Sequence, residues 1–504
     1  MRALISVYDK TGLDKICKVL TSLNYEIFST GGTLNHIKNL HIKAQSISEI
    51  TEFDEILDGR VKTLHPKIYG GILANISNSK HLEELRKYKI EPFDVIINNL
   101  YPFEKVIEDP NSSEDEIIEN IDIGGPSMLR AAAKNFHRVS VLVDPNDYKW
   151  FAEKLISKTL SLQDRKKLAF KVFDRTSKYD VNISRYLNSN FDEKDIPEIL
   201  KISQNKLFNL RYGENPHQKS GIYSNTNEGV ANSKLLHGKA MSYLNFLDAD
   251  AAFSSANFFS DHTVSIIKHT NACGLSSNND QLTAYQNALK GDPISAFGGI
   301  IGFNTEVQTD TAKEISKTFY DVVIAPSYSD QAFLILSKKK NIRLLLSKFS
   351  KEKYEYRTIN GGILFQEKDN QIEKVSDWDF VTKSKPNIDL YDDLLFAWNA
   401  TKFVKSNAIV IAEGKSILGI GSGQPNRINS VNLALSRAKQ LLTEKSILAS
   451  DAFFPFPDSI DIAYEHNIKT ILQPGGSLKD NEVIQRANQY GISMIFTNKR
   501  HFSH

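Results

Sequence analysis

Apolar and polar positions change period along the chain, and each change marks an element. Residues 3–7 (ALISV) form a short apolar run that predicts a strand, whereas residues 13–23 repeat their apolar positions at helical spacing. Residues 25–28, 95–98 and 138–143 predict further strands, and residues 125–135 and 147–158 predict helices. Strands alternating with helices imply a parallel sheet covered on both faces. Ligands of such sheets sit beyond the carboxyl ends of the strands. SVYDKTG (6–12), STGGT (29–33) and NNLYPF (98–103) occupy such positions. Residues 161–188 keep one charged helical pattern without proline or glycine, and NSNFDEKDIPEI (188–199) reads as a linker. The expected division is therefore 1–195 and 196–504.

The second region is again mixed α/β and too long to be comfortable around one core. It also repeats itself. SIIKHTNACG (265–274) resembles FVKSNAIVIAEG (403–414) in its Lys, polar residue and Asn-Ala. GDPISAFGGI (291–300) and SDAFFPFPDSI (450–460) follow in the same order. Matched landmarks in matched order suggest a duplicated α/β unit.

Composition narrows the classes. The 504 residues are 41% hydrophobic and 24% charged, which describes an ordinary folded chain. A formal net charge of +2 argues against a broad nucleic-acid surface. No apolar run approaches the ~20 residues that span a bilayer, and MRALISVYDK lacks the layout of a secretory signal. With only Cys17 and Cys273, no disulfide framework is available, so a cytoplasmic setting is expected.

Candidate chemistry concentrates in a few segments. DGRVKTLHPKIYGGIL (58–73) gathers Arg60, Lys62, His65 and Lys67. Beside STGGT, and with Ser6, Lys10 and Thr11 after the first strand, it makes a plausible phosphate pocket, although no Walker sequence is present. In ENIDIGGPSMLRAAAKNF (119–136), Asp122 precedes a Gly-Gly-Pro helix start, and Arg130 and Lys134 share a helix face. Asp122 is either a helix cap or, with Lys134, Tyr101 and Lys62, part of a set that shuttles protons and polarises a carbonyl. LRYGENPHQ (210–218) is an ordered turn, or a loop whose Arg211 and Tyr212 clamp a phosphate or stack on a ring.

SIIKHTNACG offers Lys268, His269 and Cys273. Zinc deaminase chemistry needs a later C-x-x-C, which this chain lacks, so no metal is expected. Neutral His269 can accept a proton beside Lys268, and Cys273 reads as packing. VKSNAIV supplies Asn407, GIGSGQPNRINS supplies Arg427, and SDAFFPFPD offers core or an aromatic platform. NKRHFSH, at the chain end, would fray on spacing alone.

Taken together and in order, these motifs resemble the bifunctional purine-biosynthesis family. Its members carry phosphoribosylaminoimidazolecarboxamide formyltransferase and inosine-monophosphate cyclohydrolase activities. The similarity runs nearly end to end and includes QPGGS and KRHFSH. It implies a methylglyoxal-synthase-like parallel-sheet domain followed by two cytidine-deaminase-like α/β units lacking zinc. Ser6, Lys10, Ser29, Thr30, Gly31, Arg60, Thr63, Asn99 and Gly124 would hold the nucleotide, with Lys62, Tyr101, Asp122 and Lys134 carrying ring closure. Lys268, His269 and Asn407 would serve formyl transfer from 10-formyltetrahydrofolate, with no metal or redox cofactor. Arg211, Tyr212, Asn245, Arg427, Phe453, Asp458, Arg500 and His504 would line that site, which overturns the frayed tail. The resemblance also implies a homodimer acting on small molecules, with no nucleic-acid or membrane partner. Ala272 departs from the proline common in bacterial relatives, and loss of that proline would loosen the turn. The alternatives are a chain with only the cyclohydrolase active, or an N-terminal module that binds phosphoribonucleotides for regulation.

Overall fold

The computed structural model of the protein describes residues 1–54, 56–57, 61–189 and 196–504, in two compact units, Met1–Ser203 and Gln204–His504. Arg60 and the boundary expected near residue 195 lie outside the described residues.

The first unit is built on β1 (Arg2–Val7), β2 (Glu26–Ser29), β3 (Gln45–Ser46), β4 (Val95–Asn99) and β5 (Ser140–Leu142), ordered β3-β2-β1-β4-β5. All neighbours are parallel. Side chains alternate across a strand, so β1 feeds two cores. Ala3, Ile5 and Val7 pack with Leu13, Ile16 and Cys17 of the helix Leu13–Ser22. Leu4 packs on the other face with Phe28, Ile96 and Met128. Coverage on both faces explains why these strands read as apolar runs rather than alternating ones. The charged pattern at 161–188 forms one helix, Leu162–Ser189.

The second unit opens with an exposed hairpin, β6 (Asn205–Asn209) and β7 (Gly221–Ser224). Its main sheet then uses β8 (Lys234–His237), β9 (His262–Lys268), β10 (Asn271–Asn278), β11 (Ile300–Phe303), β12 (Val322–Ala325) and β13 (Arg343–Leu346). A second exposed hairpin, β14 (Tyr354–Ile359) and β15 (Gly362–Glu367), leads to β16 (Asp379–Phe380). The sheet is completed by β17 (Ile409–Glu413), β18 (Ser416–Gly421), β19 (Ile447–Ser450), β20 (Thr470–Gln473) and β21 (Ser493–Phe496). The 12 strands run β16-β21-β20-β19-β17-β18-β10-β9-β11-β12-β13-β8.

That order reads the same from its centre outward. β9 and β10 form a hairpin, β11 is antiparallel to β9, and β12 and β13 follow in parallel. β17 to β21 repeat the scheme. The halves join where Ser276 of β10 pairs with Ser416 of β18, their hydroxyls 2.6 Å apart.

The duplication is present in the topology, but the letters matched in the sequence are not its equivalent positions. Lys268–Asn271 spans the turn between β9 and β10, whose counterpart is Gly414–Lys415 between β17 and β18; Lys405–Ala408 instead leads into β17. Likewise, residues 291–300 precede β11, whereas residues 450–460 follow β19. The true correspondence is structural. His269 and Thr270 both take positive φ, as do Gly414 and Lys415, the geometry of a tight two-residue hairpin. Asp248 accepts from the N–H groups of His269 and Thr270, at 3.1 and 2.7 Å, and Asp393 accepts from those of Gly414 and Lys415, at 2.7 and 2.9 Å. Each aspartate lies on the helix before its hairpin. Close strand-to-helix approach is also repeated: a Cβ on Gly274 would meet the Ala288 carbonyl at 1.8 Å, and one on Gly421 the Ser430 carbonyl at 1.9 Å.

Candidate active sites

In the first unit, the pairs Ser6↔Asn98 and Val7↔Asn99 bring the ends of β1 and β4 together. Beyond them lies a cavity of about 720 Å³ lined by Ser6, Lys10, Thr30, Lys62, Thr63, Asn99, Tyr101, Asp122 and Gly124. The Ser6 and Thr30 hydroxyls are 2.9 Å apart, and Asn99 accepts from the N–H groups of Tyr8 and Asp9, at 2.7 and 3.0 Å. Thr30 precedes the helix Gly31–Asn39 without a side-chain cap, so the first helical amides are left for an anion.

Asp122 is held at the start of the helix Gly124–Lys134. Its carboxylate accepts from Gly125 N–H at 2.8 Å, and its own N–H donates to the Tyr179 hydroxyl at 2.7 Å. Burial pushes this carboxyl above its ordinary value, against the pull of the Gly125 N–H and of Lys62. Capping and chemistry are thus compatible here, because one oxygen serves the helix while the side chain still lines the cavity.

Three expected residues stand elsewhere. Lys134 is exposed at the far end of that helix. At ~1.5 Å per residue it lies roughly 15 Å along the axis from Gly124, so within this unit it does not face Tyr101 as expected. Ser29 is buried and spends its hydroxyl on the Ile5 carbonyl at 2.7 Å. Gly31 turns the chain at φ 39 rather than lining the cavity. The sequence reading also missed residues that do line it. Tyr8 packs edge-on against Tyr101 with ring centroids 5.5 Å apart, and Gly32, Thr33, Asn98 and Asn120 are among the other residues of the wall. Tyr8 sat inside SVYDKTG and Asn98 beside Asn99, so proximity to chosen motifs was the available signal.

In the second unit, Asn407, Arg427, Phe453 and Arg500 share a cavity of about 650 Å³ with Pro455, Pro474 and Phe502. Arg427 is buried; it donates to Asn407 Oδ1 at 2.7 Å and pairs with Asp451 at 2.5 Å. Asn407 in turn donates to the Gln424 carbonyl at 2.8 Å. The GSGQPNR loop therefore bridges two elements. Ser422 reaches Asn271 at 3.3 Å, which links the β9–β10 turn to the same loop.

His269 presents an exposed ring on that turn, and Lys268 donates to the Phe297 carbonyl at 2.7 Å. Asp248 fixes the turn, and Ala272 remains in the ladder opposite Ile267. Cys273 is buried in the core, and burial pushes its thiol up to about 11, which suits packing rather than nucleophilic attack.

Other expected site residues do not line the cavity that holds Arg427. Asn245 uses its side-chain oxygen in a capping box with Ser242, at 3.1 and 2.9 Å, a local job that S-x-x-N spacing announces. Asp458 is exposed and accepts from Ser459 N–H at 2.7 Å. Arg211 lies over the Tyr212 ring at 5.6 Å on an exposed loop. His504 lines a neighbouring cavity, where its carbonyl accepts from Arg357 at 2.5 Å. The tail does not fray: Ser406 N–H donates to the Ser503 carbonyl at 2.8 Å, and His501 N–H to that of Asp451 at 3.1 Å.

The family described as AICARFT/IMPCHase bienzyme matches residues 132–437, and the MGS-like domain matches residues 12–127. The "Bifunctional purine biosynthesis protein PurH" of Persephonella marina is 48% identical over 100% of this chain and 99% of its own. The protein of the same name from Aquifex aeolicus is 46% identical, with 100% of both chains covered. The Dictyostelium discoideum protein, named "Bifunctional purine biosynthesis protein purH", is 43% identical, again over 100% of both. An MGS-like parallel-sheet domain followed by a mixed α/β region, matched along its whole length by relatives of one name, makes this chain a member of the AICARFT/IMPCHase bienzyme family.

Proposed function

We propose that the chain transfers a formyl group from 10-formyltetrahydrofolate to the 5-amino group of aminoimidazolecarboxamide ribonucleotide, then closes the product to inosine monophosphate. The reading is carried by the convergence of Lys10, Lys62, Tyr101 and Asp122 on one cavity, and of Asn407, Arg427, Phe453 and Arg500 on another.

Ring closure joins two groups of one molecule, so orientation and charge stabilisation supply most of the catalysis. The carboxamide nitrogen attacks the formyl carbon and gives up a proton, while the formyl oxygen takes one. The resulting hydroxyl then leaves as water, with a second proton. Lys62 supplies positive charge for the oxygen as the C–N bond forms. Asp122, raised by burial, retains a proton more readily than an exposed carboxyl and can pass it to the departing hydroxyl. The uncapped amide at Gly32, with Lys10, suits the ribonucleotide phosphate.

Formyl transfer must activate an amine whose lone pair is delocalised into the ring and carboxamide. His269 takes its proton as nitrogen attacks the formyl carbon, and the bond to the folate nitrogen then breaks as that nitrogen is protonated, assisted by Lys268. Phe453, Phe502 and the surrounding prolines offer flat apolar walls for a heterocycle, while Arg427 and Arg500 supply cations for acidic groups.

A homodimer is part of this reading. Both outlying hairpins expose apolar side chains, among them Phe208 and Tyr223 on one and Tyr356, Ile359 and Leu364 on the other. A lone two-stranded hairpin is marginal in water, and contiguous exposed apolar surface marks an interface. The assembly acts without nucleic acid or membrane and belongs in the cytoplasm. The deciding experiment supplies the ribonucleotide with 10-formyltetrahydrofolate and follows the formylated intermediate and inosine monophosphate separately. Absence of both products overturns the reading.

A further inference from the structure

β4 runs from the apolar Val95, Ile96 and Ile97 into Asn98, a polar side chain only 4% exposed. The register places Asn98 opposite Ser6, and its Nδ2 donates to the Ser6 carbonyl at 2.8 Å. That bond fixes the orientation of the amide, because only its nitrogen end can donate. Oδ1 is sealed from solvent, and no donor among the described residues reaches it. A buried acceptor without a donor is costly, and it marks a place where a further proton belongs.

The surroundings of Oδ1 show which proton. The point that a Cβ on Gly125 would occupy lies 3.2 Å from Asn98 Oδ1 and 2.2 Å from Asp122 Oδ2. Both oxygens thus border one small space at the helix start, which the glycine leaves open. The other oxygen of Asp122 is committed to Gly125 N–H at 2.8 Å. An amide oxygen and an ionised carboxylate oxygen both only accept, so side by side they repel. A proton on Oδ2 turns the same pair into a donor and an acceptor, which favours the neutral acid. Because Oδ1 is sealed, a proton carried by the protein suits it better than one carried by a bound molecule.

We propose that Asn98 is a positioning residue for ring closure, whose Oδ1 holds the acid proton of Asp122 ready for the departing hydroxyl. The inference rests on the reading of Asp122 as the acid of that step. With the substrate in place, rotation about the Cγ–O bond turns the proton from Asn98 toward the hydroxyl. The O–H bond of Asp122 breaks as one forms on the hydroxyl, and the C–O bond pair departs with the water. The proton released by the ring nitrogen restores the acid. Lys62 and the Gly124 and Gly125 amides oppose this arrangement, since they favour the carboxylate. The phenols of Tyr69 and Tyr179, both pushed up chiefly by burial, stay neutral beside it, and Lys10 and Glu119 line the same cavity. Asn98 adds to burial in favouring the acid form.

The test follows kcat for closure of preformed formyl intermediate, at saturation, from about pH 4 to about pH 9. It compares the wild type with Asn98→Leu and Asn98→Asp. Wild-type kcat should fall as pH rises through the folded value of Asp122. Asn98→Leu keeps the size and removes the acceptor, so that fall should move about one unit to lower pH. Asn98→Asp keeps the shape and adds a second carboxyl, and two carboxyls so placed do not both ionise readily. Its fall should therefore move at least about one unit to higher pH. A merely structural role would lower kcat in both variants and leave the midpoint in place; that outcome overturns the proposal. So does movement of both midpoints in the same direction. Should Asn98→Leu fail to fold, Asn98→Asp decides by the same midpoint. A wild type with no alkaline fall refutes the reading of Asp122 as the acid, and the role of Asn98 with it.

Discussion

The Gly125→Ala substitution isolates the placement of one carboxyl group. A Cβ at Gly125 would stand 2.2 Å from Asp122 Oδ2, 3.0 Å from its Cγ and 3.2 Å from Asn98 Oδ1. The helix backbone accepts alanine here, since Gly125 does not hold a positive φ. The carboxylate must therefore swing away and give up its 2.8 Å bond to Gly125 N–H. Loss of a hydrogen bond to a charged group costs about 1.5–3 kcal/mol. Exchange of glycine for alanine in a helix returns up to about 1 kcal/mol. The net destabilisation is roughly 0.5–3 kcal/mol, too small to unfold a domain of ordinary stability. Displacing a proton-handling group costs about 10²–10⁴-fold in rate. The variant should thus close preformed formyl intermediate at least about a hundredfold more slowly, by absorbance, while formyl transfer changes little and the urea midpoint falls by on the order of 1 M. Ring closure at the wild-type rate would refute the reasoning, because Asp122 would then not be needed where it sits.

Further outcomes follow from the same geometry. His269→Ala should abolish formyl transfer and leave closure of preformed intermediate intact, and transfer at the wild-type rate would remove His269 from the chemistry. Asp248→Ala and Asp393→Ala should each lose about 1–3 kcal/mol in urea unfolding, having left hairpin amides unpaired. Only Asp248→Ala should also slow formyl transfer, because only its hairpin carries His269. As a proton donor with a raised pKa, Asp122 should make ring closure fall as pH rises through its folded value. Lys62→Met should move that fall to higher pH, since Lys62 opposes the upward shift; movement to lower pH would contradict it. Leu364→Asp, on an exposed hairpin, should convert a dimer to monomer in light scattering, and an unchanged mass would exclude that hairpin from the interface.

Much of this protein was decided by its sequence alone. Short apolar runs became strands buried on both faces, and the helical period at 13–23 became the helix Leu13–Ser22, because these signals depend only on near neighbours. The motifs around Lys62, Asp122, Asn407 and Arg427 were equally legible, since turn chemistry and charge are local. Tertiary structure decided what depends on distant partners. It put Lys134 a helix length from the cavity, gave Asn245 to a capping box and showed that KHTN and KSN hold different places in the two halves of the sheet. It also seated an expected fraying tail on the second unit, with His501 buried while Arg500 and Phe502 stay exposed. His501 meets Asp369 and Glu373 across 132 and 128 residues, a distance at which spacing carries no signal and only the folded sheet brings the charges together.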